Sequence, residues 1–261
     1  RYVIGGNSIG GYTAMATAAD DTTTTIASNG VPTASGGPGS GNCVGLVLMN
    51  SAGKIFSPQE VETITNGAVD VKSVAEVTAT DGFAPLNAPP PWVTTLFGNA
   101  LLWYLRPRIR SICQNLYPTN PSAVDDALCN NILRDSLDPG AIHIMASGAK
   151  LPSPRTANEL LAARHGNYAT PSDLLLFGQW RGPVLVAQGV LDPLNDAKGR
   201  AKNLLEFRHD IELHPLQAGH CPHDELPNEM ARAILAWTHR RLLLEKTATT
   251  TTTTIAAAAA Q

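Results

Sequence analysis

The sequence predicts an α/β protein built on a mostly parallel sheet, and three observations predict it. The runs 43–49 (CVGLVLM) and 183–188 (PVLVAQ) are continuously apolar rather than alternating, the habit of strands covered on both faces. Strand-like runs take turns with stretches at helical spacing. Of 261 residues 43% are apolar, with 22 Gly besides, which is material for a sizeable core.

In chain order, Tyr2-Val3-Ile4 opens a strand over 2–5, and Ile9 to Ala19 (IGGYTAMATAA) carries small and apolar residues at helical spacing. The strand should therefore pass into a helix across Gly5 to Gly11. The run 43–49 is the second strand. Between 51 and 181 strand signals are few and helical ones many. Residues 92–105 place Leu96, Phe97, Ala100, Trp103 and Tyr104 on one broad apolar face, and Ser122 is a cap for a helix carrying Val124, Leu128, Ile132 and Leu133. Asp138-Pro139-Gly140 opens another helix. This insert is either a helical subdomain that only packs or a lid over a site. After strand 183–188 comes a weaker one over 211–216 (IELHPL), which Pro215 places near an edge or a strand end. The last helix, 225–244, puts Met230, Ile234, Trp237 and Leu242 on one face. That order is the second half of a doubly wound sheet. The expected division is 1–50, a helical cap over 51–181, the rest of the core over 182–246, and a tail.

Two biased tracts, 20–42 and the Thr/Ala-rich 247–261, bury too little apolar surface to offset their ordering entropy and are read as disordered. Residue 1 is Arg, and the chain enters a β-prone run with no cap or targeting segment before it, so the front of a longer chain is expected to be missing. Charged residues are only 16% and the net charge is -3, which argues against nucleic acid or another polyanion as partner. The four Cys, at 43, 113, 129 and 221, are too irregular for a disulfide framework and read as reduced thiols of an intracellular compartment. No apolar run approaches the roughly 20 residues of a membrane span, so a soluble protein is expected.

The strongest chemical signal is Gly6-Asn7-Ser8-Ile9-Gly10, a Gly-x-Ser-x-Gly between a strand and a helix. A Ser on so sharp a turn needs neighbours without bulk, and glycines at 5, 6, 10 and 11 should supply the room. A phosphate-binding turn is the rival, but the Gly-Lys-Ser/Thr of one such pattern and the third Gly of the other are absent. The hydroxyl needs a base, and the base an acid to fix its tautomer. Asp192 stands just past the strand 183–188, at the carboxyl end where open sheets bind ligands. Asp196 is a nearby rival that could equally cap the next helix. Of seven His, His220 lies in AGHCPHD between the last strand and the last helix; His223 could instead cap or pair at the helix start. His143, His165, His209, His214 and His239 read as surface or helix residues. Cys221 crowds with His220 and His223, but without a fourth ligand no metal site is expected.

The segments GGNSIGGYTAM, VGLVLMNSAG, YPTNPSAVDDALCNNILRDSLDPGA, GPVLVAQGVLDPLND and AGHCPHDELP together resemble the α/β-hydrolase superfamily, and within it the plant and algal pheophytinase-like group. The likeness covers about 2–19, 43–53, 103–150 and 183–240. It implies the C-terminal half of an α/β-hydrolase fold with a helical cap insertion. It also implies hydrolysis of a carboxylic ester on a chlorophyll-derived pigment, releasing phytol, in the chloroplast. Ser8, Asp192 and His220 take the family's triad positions, and no cofactor is required for acyl transfer by that route. The family's four strands before the nucleophile strand have no counterpart here, which leaves the backbone amide of Ile9 as the remaining oxyanion donor. Trp92, Leu96, Phe97, Trp103 and Tyr104 are the candidate contacts to an apolar ester, and peripheral association with pigment-containing membranes accompanies that expectation. Two other readings stay open: a general carboxylesterase or lipase-like hydrolase, and a receptor-like member that binds a ligand with little turnover.

Overall fold

The computed structural model describes residues 1–21, 42–60, 90–145, 155–161 and 180–244. The tract expected to be disordered falls outside them over 22–41, as does the tail 247–261. Asp20 and Asp21 are instead the end of a helix, and the Asp21 carboxylate accepts the Cys43 N–H at 2.7 Å. Two compact units are present: Arg1–Glu62 with Thr156–Gln261, and Thr63–Arg155.

The first unit is an α/β layer structure on a parallel sheet. Its strands are β1 (Tyr2–Asn7), β2 (Cys43–Met49), β3 (Val184–Gly189) and β4 (Glu212–Leu216), all parallel and in the order β1-β2-β3-β4. The unbroken apolar runs have the expected cause. On β2 and β3, Leu46, Leu48, Val184 and Val186 enter one core cluster, while Val47 and Leu185 pack with Trp237 on the opposite face. The first cluster is closed by helix α1 (Ile9–Asp21), whose Ala14, Met15, Ala18 and Ala19 are buried at helical spacing, and by Leu204 of the later helix Ala197–Phe207. Ile55, Leu160, Leu161 and Trp180 belong to the same cluster. The units therefore divide inside the 51–181 insert rather than at its ends, because these flanks are sheet-covering core. At the entry to β3, the fully buried Arg208 donates to the carbonyls of Trp180 (3.0 Å), Arg181 (3.2 Å) and Gly182, and pairs with Asp210 at 2.7 Å. A buried cation is tolerable only when so satisfied.

The final helix is broken. One turn, Pro222–Glu225, is followed by Pro227–Thr238 and then a wider π-helical turn, His239–Leu244. Pro227 excludes helical backbone at the residue before it, and Leu226 sits at φ -131°, ψ 58°. Met230 and Trp237 are buried on the expected face with Ile234 partly so; the side chain of Leu242 lies outside the described residues.

The second unit carries α2 (Pro91–Leu105), α3 (Ile109–Leu116), α4 (Asp126–Ser136) and α5 (Ala141–Met145). In chain order α6 (Ala157–Leu160), α7 (Ala197–Phe207), α8 (Pro222–Glu225) and α9 (Pro227–Thr238) follow in the first. Asp125, not Ser122, caps α4: its carboxylate accepts the Leu128 N–H at 2.8 Å. Ser122 lies in a single 3-10 turn and bonds Asn120 instead. On α2 the inward stripe is Thr94, Gly98 and Leu102, small enough at Gly98 for Ile142 of α5 to approach closely. The broad apolar face consequently points outward.

Candidate active site

β1 runs two residues further than the sequence suggests, so a single residue, Ser8, turns strand into helix. It takes φ 53°, left-handed backbone that costs a non-glycine residue free energy and persists only where its surroundings hold it. They do. The Ser8 N–H donates to the Met49 carbonyl at 3.0 Å, and the Ser8 carbonyl accepts from Gly11 (3.0 Å), Tyr12 (3.2 Å) and Ala52 (2.8 Å). The loop carrying Ala52 is itself clamped by Arg200, which donates to Ser51 Oγ and the Ala52 carbonyl at 3.1 Å each, and to the Gly53 carbonyl. Burial pushes the Arg200 guanidinium down to about 10, so it keeps its charge at neutral pH.

The glycines divide in their reasons. A Cβ on Gly6 would overlap the Gly10 carbonyl, and one on Gly11 would press on Ser51 and the Gly6 carbonyl. At Gly10 a Cβ would meet nothing within 4 Å, so that glycine is not required for room, contrary to the expectation. The backbone of Ile9 is the first residue of α1, where helix geometry provides no partner for the N–H.

Because the sheet is parallel, the carboxyl ends of its strands share one edge. Ser8 directly follows β1, Asp192 lies three residues beyond β3, and His220 four beyond β4. His220 Nδ1 stands 3.0 Å from Asp192 Oδ2, with the Asp192 side chain fully enclosed and the imidazole nearly so. The carboxylate is fixed further by the Leu194 N–H (2.9 Å, to Oδ1) and Asn195 Nδ2 (2.8 Å, to Oδ2). Asn7, next to Ser8, donates from Nδ2 to the His220 carbonyl at 2.7 Å and to the Met49 carbonyl at 3.2 Å. Ser8, Asp192 and His220 therefore belong to one hydrogen-bonded edge. The rivals among the described residues are more exposed than Asp192 and His220. Asp196 is exposed and caps α7, accepting the Gly199 N–H at 2.9 Å. His223, His143, His209 and His239 are exposed and His214 is half-buried on β4; His165 lies outside the described residues. Among the described residues, no group of three or more His, Cys, Asp or Glu is placed to hold a metal ion.

Trp92, Leu96, Phe97, Trp103 and Tyr104 share the outward face of α2 in the other unit, each more than half exposed. They do not pack inside it. Asn7, Asn50, Asn195, Arg200 and Glu225 were not legible as site residues. Asn7 sits beside the Ser, and Asn195 and Glu225 bond Asp192 and Gly219, three and six residues back along the chain, whereas Asn50 and Arg200 act through bonds to distant chain.

No protein-family model and no curated protein matches the chain. Solved structures similar to it include an esterase from Thermogutta terrifontis (21% identity, TM-score 0.47, over 92% of this chain and 65% of that one). A serine hydrolase of carbazole degradation is similar at 18% identity and TM-score 0.48, over 92% of this chain and 64% of that one. A meta-cleavage product hydrolase is similar at 18% identity and TM-score 0.49, over 92% and 65%. The chain thus spans a little under two thirds of the length of each.

Proposed function

We propose that this chain is a serine hydrolase that cleaves a carboxylic ester through a covalent acyl-enzyme. The observation that carries the reading is the left-handed Ser8 turn on the same sheet edge as the His220–Asp192 pair, joined to it through Asn7. Asp192 accepts the Nδ1 proton of His220, which fixes the tautomer and leaves Nε2 unprotonated as the base. His220 takes the Ser8 proton as Oγ attacks the ester carbonyl, then returns a proton to the departing alcohol. Water, activated by the same imidazole, hydrolyses the acyl-Ser8 and frees the acid. The Ile9 amide stabilises the oxyanion; one such donor is worth about 10²–10³ in rate.

The substrate we assign is the phytyl ester of pheophytin or a related chlorophyll derivative, met in the chloroplast at pigment-bearing membranes. Support comes from the pheophytinase-like segments YPTNP to LDPGA and GHCPHDE, whose resemblance implies an ester of a long isoprenoid chain. Removing such a chain from water is favourable by roughly 25 cal/mol per Å².

A fluorophosphonate probe tests the chemistry: wild type should be labelled and Ser8→Ala should not. An unlabelled wild type would turn the edge into a binding element without turnover. The second arm compares pheophytin with a short p-nitrophenyl ester. Phytol release that vanishes in Ser8→Ala supports the assignment, whereas turnover of the short ester alone makes the protein a general carboxylesterase.

A further inference from the structure

Three hydrogen bonds around His220 do not involve its ring, and they converge on the backbone that carries it. Gly219 donates its N–H to Glu225 Oε1 at 2.5 Å, the Gly219 carbonyl accepts from Asn50 Nδ2 at 2.7 Å, and the His220 carbonyl accepts from Asn7 Nδ2 at 2.7 Å. Asn50 reaches furthest. Its Oδ1 accepts the Gly189 N–H at 2.7 Å and Gln188 Nε2 at 2.9 Å. One amide head thus joins the last residue of β3, three before Asp192, to the residue before His220.

The site of this side chain is demanding. Asn50 is fully buried and its backbone sits at φ 40°, a conformation that Asn tolerates better than most residues. A carboxamide carries an acceptor and a donor on one rigid head, and here each faces its complement. The acceptor meets an N–H on the acid's side and the donor meets a carbonyl on the base's side. A Cβ on Gly189 would collide with the Gly219 carbonyl, so the two arms already touch where Asn50 bridges them.

We infer that Asn50 is a positioning residue that sets the separation of the Asp192 and His220 arms, and through it the Nδ1–Oδ2 hydrogen bond. Its consequence for activity rests on the hydrolase reading above; its consequence for the His220–Asp192 pair does not.

The test uses the whole chain and two substitutions. Asn50→Gly keeps the left-handed backbone and removes both bonds. Asn50→Asp keeps the acceptor for Gly189 and sets oxygen lone pairs against the Gly219 carbonyl. Three quantities are read: the far-downfield proton resonance of His220 Nδ1–H, the second-order rate of fluorophosphonate labelling at Ser8, and the thermal midpoint. Both variants should lose or broaden the downfield resonance and label about 10²-fold more slowly, the loss expected of a displacement near 1 Å. A merely structural Asn50 would lower the midpoint and leave the resonance and the labelling rate of the folded protein unchanged, and that result overturns the inference. If wild type is not labelled at all, the hydrolase reading fails, and the resonance alone decides for or against Asn50.

Discussion

At Ser8 one residue performs the work that a loop of several residues does at most strand-to-helix junctions, and the cost falls on its neighbours. Gly6 and Gly11 give up their side chains because the backbones of β1, α1 and the Ser51 loop close around the turn. Gly6→Ala should destabilise by about 2–4 kcal/mol, since the obstacle is backbone and cannot rotate away. Gly10→Ala should fall within about 1 kcal/mol of wild type and on the stabilising side, because an open helical position gains from a stiffer unfolded chain. Urea melts of the two variants measure the contrast; equal losses would mean that the turn is not packed as described. On the proposed hydrolase reading, Asp192→Asn should slow fluorophosphonate labelling about 10⁴-fold, the size expected when a catalytic imidazole is held in the wrong tautomer.

Elements were legible wherever a local pattern fixes them. The continuous runs at 43–49 and 183–188 were readable as strands with both faces covered, and Leu46/Leu48 against Val47 displays the reason. Asp196 was readable as a cap from its place before a helix, which yields an expectation opposite to that for Asp192. Asp196→Ala should cost about 1 kcal/mol in a urea melt and leave labelling of Ser8 untouched, whereas a drop in labelling would make it part of the site. Much of what escaped reading depends on distant chain. Nothing near residue 50 announces a bond to Gly219, 169 residues away. The outward turn of α2's aromatic face follows from Gly98 meeting Ile142, a contact that helical spacing alone does not contain. Ser122 and Asp125 are both good caps in isolation, and the 3-10 turn at Pro121–Ala123 moved the helix start to the second.

At the scale of the molecule, the two edges of the sheet differ. On β4, Pro215 removes a donor and Glu212 pairs with Arg240 and with Arg241 at 3.6 Å, the charged and proline-bearing edge that resists strand addition. On β1, Tyr2 and Val3 are exposed and carry no charge. Self-association should therefore proceed through β1, and Val3→Lys should lower the concentration-dependent light scattering of the wild type; unchanged scattering would place the contact elsewhere. The serial strand order has one more consequence, in time rather than in space. Asn7 meets His220 across 213 residues, so during synthesis the Ser8 turn waits for a loop made long after it. On the hydrolase reading, a chain halted before residue 220 lacks the imidazole that would activate Ser8, and synthesis itself becomes the safety catch.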